Sequence, residues 1–573
     1  MHDGGRLCVL LASILAGVAL SSAQPLPSAT FSDKPLSQRW LDYRIDARVN
    51  PQMHTIDATE VITWHNFTGK PQDTFPFHLY LNAFQPKSTF VRETHLFNPE
   101  YDWQDKYYGA DEVKSLAVTG VGDLTTQMRF ISPDDGNPDD RTVFQVKLPK
   151  PVPPNGQAQF KIVFHDQLPE VVARTGYKRD FIMGAQWFPK PGVWWQGAWN
   201  CHQFHRTTEF FAEFGTFEVS LTLPQNEVVG ASGVQLSSVN HPDGTKTVSF
   251  YGEDIHDFAW TAEPEYRVVN DAFQGSMGKV QIRMLVQPGH MSSAPRYLHA
   301  LKGALDRFDK WYGPYPYKQI TLVDPPHGGD RAGGMEYPTL FTAGTVWWVP
   351  KGVLLPELVT EHEFGHQYWY GMVATNEFEN AWLDEGINSY TEVKIMDSLY
   401  GKDTSTLNLL GARIGDSDYQ RLSYVSVADD DPMARFAWQY MSGNSYGGTT
   451  YGKTATVLLT LEKLIGEQTL QRALRTYFLR YRFTHPTQED FLNTVQEVSG
   501  KDLRAYRGAG HRATPRAVSQ RDTSSHPARC RPSRYFRKAS LSVGIAVFRW
   551  RERQAYRAGQ SPRASCASAL RPG

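Results

Sequence analysis

Cysteine is scarce in this sequence, which has four cysteines among 573 residues. Cys8 lies near the N-terminus, Cys530 and Cys566 lie near the C-terminus, and only Cys201 falls between them. The body of the chain therefore has no pair of thiols that could form an intramolecular disulfide. A chain of this length must be stabilised by buried apolar surface instead, and it is long enough for two or three domains.

Long apolar runs are also missing, except at the N-terminus. Arg6 precedes an apolar stretch from Leu7 to Leu20, and small residues follow at Ser21–Ala23. This order is typical of a cleaved secretory signal, which we place at residues 1–23, and it predicts a secreted or periplasmic protein. A membrane anchor is the alternative, but the run is shorter than the about 20 residues that span a bilayer. We expect no stable membrane span after signal removal.

Acidic residues are scarce in residues 504–573, where Asp522 and Glu552 accompany fifteen Arg and one Lys. Residues 1–503 then hold 43 basic and 58 acidic groups, a net charge of −15. An acidic body repels phosphate, so we exclude nucleic acid as a partner. The Arg-rich composition and the lack of periodicity lead us to interpret residues 504–573 as an out-of-frame translation. A basic, disordered tail is the alternative.

The hydrophobic pattern changes once along the body. Residues 31–265 show apolar residues at every second position, as at Phe144, Val146 and Leu148, which predicts a β domain. Residues 266–503 mix strands with helical spacing, and we expect helices over 354–372, 382–399 and 455–480. The predicted fold is therefore multidomain α+β.

The strongest local motif is H-E-F-G-H at residues 362–366. Residues four apart share one face of a helix, so His362 and His366 can reach the same ion, with Glu363 placed to hold a water on it. Taken alone, the motif also fits two surface histidines on an ordinary helix. Gly365 costs a helix about 1 kcal/mol relative to alanine, which indicates close packing at this position.

A second motif, W-L-D-E-G at residues 382–386, makes a metal site the better interpretation. Glu385 follows His366 by nineteen residues, enough for a loop and an antiparallel helix that returns to the histidines. Two histidines, one carboxylate and an open fourth position are the ligand set of a catalytic zinc. We therefore predict one Zn²⁺ per chain on His362, His366 and Glu385. Glu392, two turns further, either accepts a hydrogen bond from a ligand histidine or is a solvated surface acid.

These motifs resemble those of the gluzincin zinc aminopeptidases, the family of aminopeptidase N and leukotriene hydrolase. Two further stretches agree with that family: G-G-M-E-Y at 333–337 is similar to its G-x-M-E-N motif, and Y-G-K at 451–453 is similar to its Y-x-K element. The similarity extends from about residue 40 to Leu503. Tyr337 stands where the family motif has asparagine.

The resemblance implies a fold and an activity. The fold is an N-terminal β-saddle domain over residues 31–265, a thermolysin-like zinc catalytic domain over 266–503, and a C-terminal helical domain. Because the similarity stops at Leu503, we expect that last domain to be truncated. The implied activity is zinc-dependent removal of N-terminal residues from peptide substrates by a bacterial-like secreted enzyme. The alternatives are a catalytically impaired or non-catalytic binding relative, and an epoxide hydrolase that uses the same site.

The resemblance also implies residue roles. Glu363 is the general base on a zinc-bound water, and Tyr451 donates a hydrogen bond to the oxyanion. Glu336 binds the free α-amino group of the substrate, which makes the enzyme an exopeptidase. The remaining substrate-binding candidates are Gly333, Gly334 and Met335, whose backbone runs beside the substrate, and Gln186. Gln186 is either a second ligand of the amino terminus or a glutamine at the end of a strand.

Overall fold

The computed structural model describes residues 26–98, 103–344 and 348–503. The predicted signal at 1–23 and the predicted tail at 504–573 lie outside these residues. Across the part that is described, no helix combines the length and the apolar composition that a bilayer crossing requires.

The first half of the described chain is rich in strands, because alternating apolar residues pair into sheets with one buried face. One helix, α1 (Thr89–Phe97), interrupts them. The strands are β1 (Leu41–Asn50), β2 (Thr55–His65), β3 (Gln72–His78), β4 (Ala110–Val118), β5 (Gly122–Asp123), β6 (Arg129–Phe130), β7 (Val143–Val152), β8 (Gln157–Gln167), β9 (Gly176–Lys178), β10 (Phe181–Gly184), β11 (Lys190–Pro191), β12 (Val193–Trp195), β13 (Ala198–Asn200), β14 (Gly215–Pro224), β15 (Val228–Ala231), β16 (Val234–Asn240), β17 (Thr245–Ile255) and β18 (Trp260–Glu263).

These strands form one large sheet and smaller ones beside it. The large sheet has the order β16-β17-β14-β1-β2-β8-β4-β5, and its pairs are antiparallel except for β1 with β14. Two four-stranded sheets have the orders β15-β18-β10-β9 and β11-β3-β7-β6, and β12 pairs with β13. We call this half, residues 26–263, the β-rich unit.

The second half, which we call the α+β unit, begins with strands of one sheet: β19 (Arg267–Gln274), β20 (Lys279–Val286), β21 (Gln319–Val323), β22 (Met335–Tyr337) and β23 (Leu340–Thr342). The order β19-β20-β21-β23-β22 places β22 at an edge. The other elements are a hairpin of β24 (Leu407–Leu409) and β25 (Ala412–Ile414), and the helices α2 (Ala294–Trp311), α3 (Leu355–Gly365), α4 (Glu377–Asn380), α5 (Glu385–Tyr400), α6 (Asp416–Val425), α7 (Gly443–Gly447), α8 (Thr454–Ile465), α9 (Glu467–Tyr481) and α10 (Gln488–Ser499).

The three expected helices have different bounds in the structure. The helix expected over 354–372 ends at Gly365, because the chain then turns back and the Gly371 N–H donates to the His366 carbonyl at 2.7 Å. The helix expected over 382–399 begins only at Glu385, after a 3-10 turn. The segment 455–480 is two helices, since Gly466 at φ +89 separates α8 from α9.

A continuous hydrophobic core extends through both units. Phe214 of the β-rich unit contacts Phe483 of the α+β unit with 5.9 Å between ring centroids, and the Trp195 indole donates to the His485 carbonyl at 3.1 Å. The chain is thus a multidomain α+β protein with an N-terminal β-rich part whose two units share buried surface.

Candidate active site

Helices α3 and α5 approach each other closely at Gly365. A Cβ atom on Gly365 would lie 2.0 Å from the Asn388 side-chain oxygen, so only glycine fits between the helices. The Asn388 amide donates to the His362 carbonyl at 2.8 Å. This contact fixes the first turn of α5 against the end of α3, where the motif residues lie.

The close approach brings three predicted ligands together. The Nε2 atoms of His362 and His366 lie 3.0 Å apart, and each lies 3.2 Å from Oε2 of Glu385. All three residues are buried. Four groups around a tetrahedral Zn²⁺ at about 2.0–2.2 Å would be separated by similar distances.

A buried carboxylate holds the far nitrogen of each imidazole. Nδ1 of His362 lies 2.7 Å from Glu392, and Nδ1 of His366 lies 2.6 Å from Asp384. Because Nδ1 donates to a carboxylate in each ring, both Nε2 lone pairs are directed at the same point. Lone pairs that converge beside the Glu385 carboxylate are matched by a cation, so these residues fit zinc. Sequence reasoning included Glu392 as one alternative but missed Asp384, although it immediately precedes Glu385.

The carboxylate network extends from Asp384 to the β-rich unit. Glu377 on α4 is fully buried and accepts the Phe210 N–H at 2.9 Å, and it lies close enough to Asp384 for the two charges to interact. Burial raises the pKa of Glu377, and the neighbouring charge of Asp384 raises it further. Glu377 was not identified from the sequence, because nothing in its local pattern marks an acid as buried.

Tyr451 reaches the same centre from outside α3 and α5. It lies in a π-helical segment, Gly448–Lys453, that joins α7 to α8. Its hydroxyl donates to Oε1 of Glu385, and its ring stacks on His362 with centroids 5.6 Å apart. Single turns of π-helix occur frequently at functional sites.

The predicted substrate motif forms the edge strand β22 beside this centre. Gly334 has φ +65, and a Cβ on Gly333 would lie 2.8 Å from the Ala343 carbonyl, so glycine is required at both positions. The Met335 side chain is buried, which leaves only its backbone for a substrate. Glu336 belongs to one buried group with His366, Asp384 and Glu385, whose ligand atoms all lie within 4.8 Å of one another.

Glu336 shares its surroundings with a second carboxylate. Burial raises the pKa of Glu336, His366 lowers it, and the charges of Glu209 and Glu363 raise it again. Glu209 is buried, belongs to the β-rich unit and pairs with Arg174. Sequence reasoning missed Glu209, since no spacing rule connects residue 209 with the motif at 333–337.

Gln186 has other partners. Its amide donates to Asp257 and accepts from Lys190, so both ends of the amide are engaged within the β-rich unit. Gln186 lies two residues after the end of β10. The Gln186 amide is thus bound to two residues of its own unit.

Comparison with known proteins finds similarity to peptidases. Residues 297–507 match the model of the Peptidase family M1 domain. The chain is 21% identical over 238 residues to probable aminopeptidase 1 of Sulfurisphaera tokodaii, which covers 39% of this chain and 29% of that protein. It is 25% identical over 259 residues to aminopeptidase N of Escherichia coli, covering 42% and 28%. These matches span less than a third of the relatives' length.

Solved structures show the same fold over more of the chain. Legionella pneumophila aminopeptidase A, solved with aspartic acid, superposes with a TM-score of 0.60 at 15% identity, covering 84% of this chain and 50% of that one. The M1 zinc metallopeptidase of Deinococcus radiodurans superposes with a TM-score of 0.55 at 16% identity, covering 82% and 94%. Residues 297–507 thus match a peptidase family M1 domain, the fold is similar to that of M1 zinc metallopeptidases, and the residues that converge at this site fit zinc.

Proposed function

We propose that this protein is a zinc-dependent aminopeptidase that removes N-terminal residues from peptides. The observation that carries the proposal is the convergence of His362, His366 and Glu385 with Glu336 beside the edge strand β22. The ligand set serves a hydrolytic metal, and the adjacent carboxylate serves a substrate ammonium.

His362, His366 and Glu385 would hold the metal. When bound, Zn²⁺ acts as a Lewis acid toward the scissile carbonyl and lowers the pKa of water to about 7. Glu392 and Asp384 keep the two imidazoles oriented.

The chemical step relies on Glu363 and Tyr451. Glu363 is buried beside His362, and it takes a proton from the attacking water as the new C–O bond forms. It then returns that proton to the leaving amine as the C–N bond breaks. The Tyr451 hydroxyl, which already points at the ligand Glu385, donates to the oxyanion.

The direction in which a peptide binds is set by β22. An extended peptide adds to the edge beside Gly333 and Gly334, so main-chain groups recognise it whatever its side chains are. Glu336 and Glu209 receive its α-ammonium. A peptide without a free amine does not bring that cation to Glu336 and Glu209, which disfavours N-blocked substrates.

The finer architecture is part of the same proposal. The β-rich unit corresponds to the β-saddle domain over residues 31–265, and the α+β unit to the thermolysin-like domain over 266–503. A truncated C-terminal helical domain, cleavage after residue 23 and export to the periplasm or medium remain predictions from the sequence.

The test is turnover of aminoacyl-para-nitroanilides by the purified full chain, with metal content measured in parallel. We expect hydrolysis that a chelator abolishes and zinc restores. Glu363→Gln should retain zinc but lose at least about a thousandfold in kcat, because an amide cannot accept the proton. Zinc binding without peptide hydrolysis would indicate a non-catalytic relative, and epoxide opening without peptide hydrolysis would indicate the other enzyme class.

A further inference from the structure

Arg174 is a half-buried cation beside the carboxylates of the proposed substrate site. It lies between β8 and β9, and its side chain is 17% exposed. Nη2 forms an ion pair with Glu209, and Nη1 donates to the Gly334 carbonyl at 3.0 Å. One guanidinium therefore connects a carboxylate of the β-rich unit to the backbone that enters β22.

The backbone of Arg174 is tied to the same loop. Its N–H donates to the Arg331 carbonyl at 3.0 Å, and its own carbonyl accepts the Tyr337 hydroxyl at 3.2 Å. Its φ of +64 is a conformation that a non-glycine residue keeps only where its surroundings hold it. These bonds fix the position from which the guanidinium reaches Glu209 and Gly334.

The carboxylates around Arg174 keep its guanidinium charged. Burial would lower the pKa of Arg174, but the carboxylates of Glu209 and Glu336 raise it by more, so the guanidinium stays charged. Glu209 also raises the pKa of Glu336 by repulsion. Because Arg174 offsets one of the two carboxylate charges, Glu209 and Glu336 keep one net negative charge. A single ammonium neutralises that charge.

We propose that Arg174 is a positioning residue for the α-ammonium of the substrate. It holds Glu209 and the Gly334 backbone at a fixed separation, so that Glu209 and Glu336 together receive the amine. The planar fork of arginine makes both contacts at once, which the point charge of lysine does not. This inference rests on the proposed aminopeptidase function.

The experiment compares Arg174→Met, Arg174→Lys and the matched control Arg39→Met in the full chain. Arg39 is a similarly buried arginine, 22% exposed, but its partners are Glu253 and Asp254. KM and kcat are measured for alanyl-para-nitroanilide and for propionyl-para-nitroanilide, which lacks the amine. Thermal midpoints and zinc content confirm that each variant folds, and Arg174→Lys keeps a buried cation if Arg174→Met does not fold.

We expect Arg174→Met to raise KM for the alanyl substrate about tenfold or more, with kcat within about threefold, and to leave propionyl turnover unchanged. Arg174→Lys should fall between Arg174→Met and the wild type, and Arg39→Met should match the wild type. Equal losses on both substrates, or no loss, would overturn the positioning role. A wild-type protein that fails to cleave the alanyl substrate would instead contradict the proposed function itself.

Discussion

At the scale of single residues, the outer nitrogen of each candidate ligand histidine is bound by a buried carboxylate. Glu392 holds His362, and Asp384 holds His366. A charged acceptor makes the opposite ring nitrogen a better ligand, because it fixes the tautomer and increases the electron density of the ring.

Glu392→Gln should therefore weaken zinc binding about 10- to 100-fold, since a neutral amide oxygen polarises His362 less than a carboxylate does. Competition with a fluorescent chelator measures this change. Asp57→Asn is the matched control, because Asp57 makes a similar 2.7 Å bond to His165 on an exposed face of the large sheet. Unchanged zinc affinity in Glu392→Gln would contradict the orienting role.

Tyr451→Phe should lower kcat about 100-fold or more while KM changes little, because its hydrogen bond strengthens only in the transition state. Tyr446→Phe removes a neighbouring hydroxyl, with the two rings 6.3 Å apart, and should leave kcat within about threefold of the wild type. A Tyr451→Phe variant whose main defect is a higher KM would assign this hydroxyl to substrate binding.

The predictable residues of the site are those joined by local spacing. His362 and His366 are four apart on one helix, and Glu385 follows in a recognisable motif, so the sequence alone could group them. Glu209 and Glu377 meet the site only through tertiary packing between the two units. The burial of these two acids brings them to the site, and a single sequence contains no pattern that predicts it.

At the scale of secondary structure, the alternating strands were predictable because the sheets bury one face, as the apolar positions of β7, β8 and β14 show. Helix ends were less predictable. The α8–α9 break at Gly466 depends on a positive φ, and the turn after His366 depends on backbone bonds that no side-chain pattern reports.

Gly365→Ala should destabilise the fold by about 1–3 kcal/mol, although alanine is the better helix former by about 1 kcal/mol. The added methyl would meet Asn388 and push α5 away from α3. The free energy of unfolding, measured by chemical denaturation, and the zinc affinity should decline together, because Glu385 begins α5.

Gly303→Ala on α2 is the matched helical control. Its methyl would meet the Leu399 side chain, which can change rotamer, so a small loss of stability and unchanged zinc affinity are expected. Gly365→Ala with wild-type zinc affinity would show that the helix contact does not position Glu385.

At the scale of the whole molecule, a buried histidine, His205, links the two units. His205 lies 2.8 Å from Glu93 and 3.1 Å from Asp134, and its ring stacks on Trp438 of the α+β unit with centroids 4.3 Å apart. Burial alone would lower the pKa of His205, but the hydrogen bonds that its ring donates to Asp134 and Glu93 raise it to about 9.

This raised pKa predicts that the protein loses stability in mild alkali. Protonated His205 stabilises the fold fully below the unfolded pKa of about 6.5, and that contribution disappears as pH rises through about 9. We expect the free energy of unfolding to fall by about 3 kcal/mol between pH 6.5 and 9.5 from this group. Denaturant titrations should show the decline in the wild type and a flatter profile in His205→Gln.

The predicted frame error at residues 504–573 is tested by reading the gene around codon 504. We expect another frame there to encode an aromatic-rich helical continuation of the relatives' kind. If both other frames lack one, a genuine basic tail is the better interpretation.

The hydrophobic core shared between the units has a consequence for synthesis on the ribosome. Phe214 leaves the exit tunnel long before its partner Phe483, about 270 residues later in the chain. At a translation rate of about 5–20 residues per second, the apolar face of the nascent β-rich unit stays exposed for roughly 15–50 seconds before the α+β unit can pack on it. During that delay it is a target for chaperones, and slower translation should increase aggregation of the newly made protein.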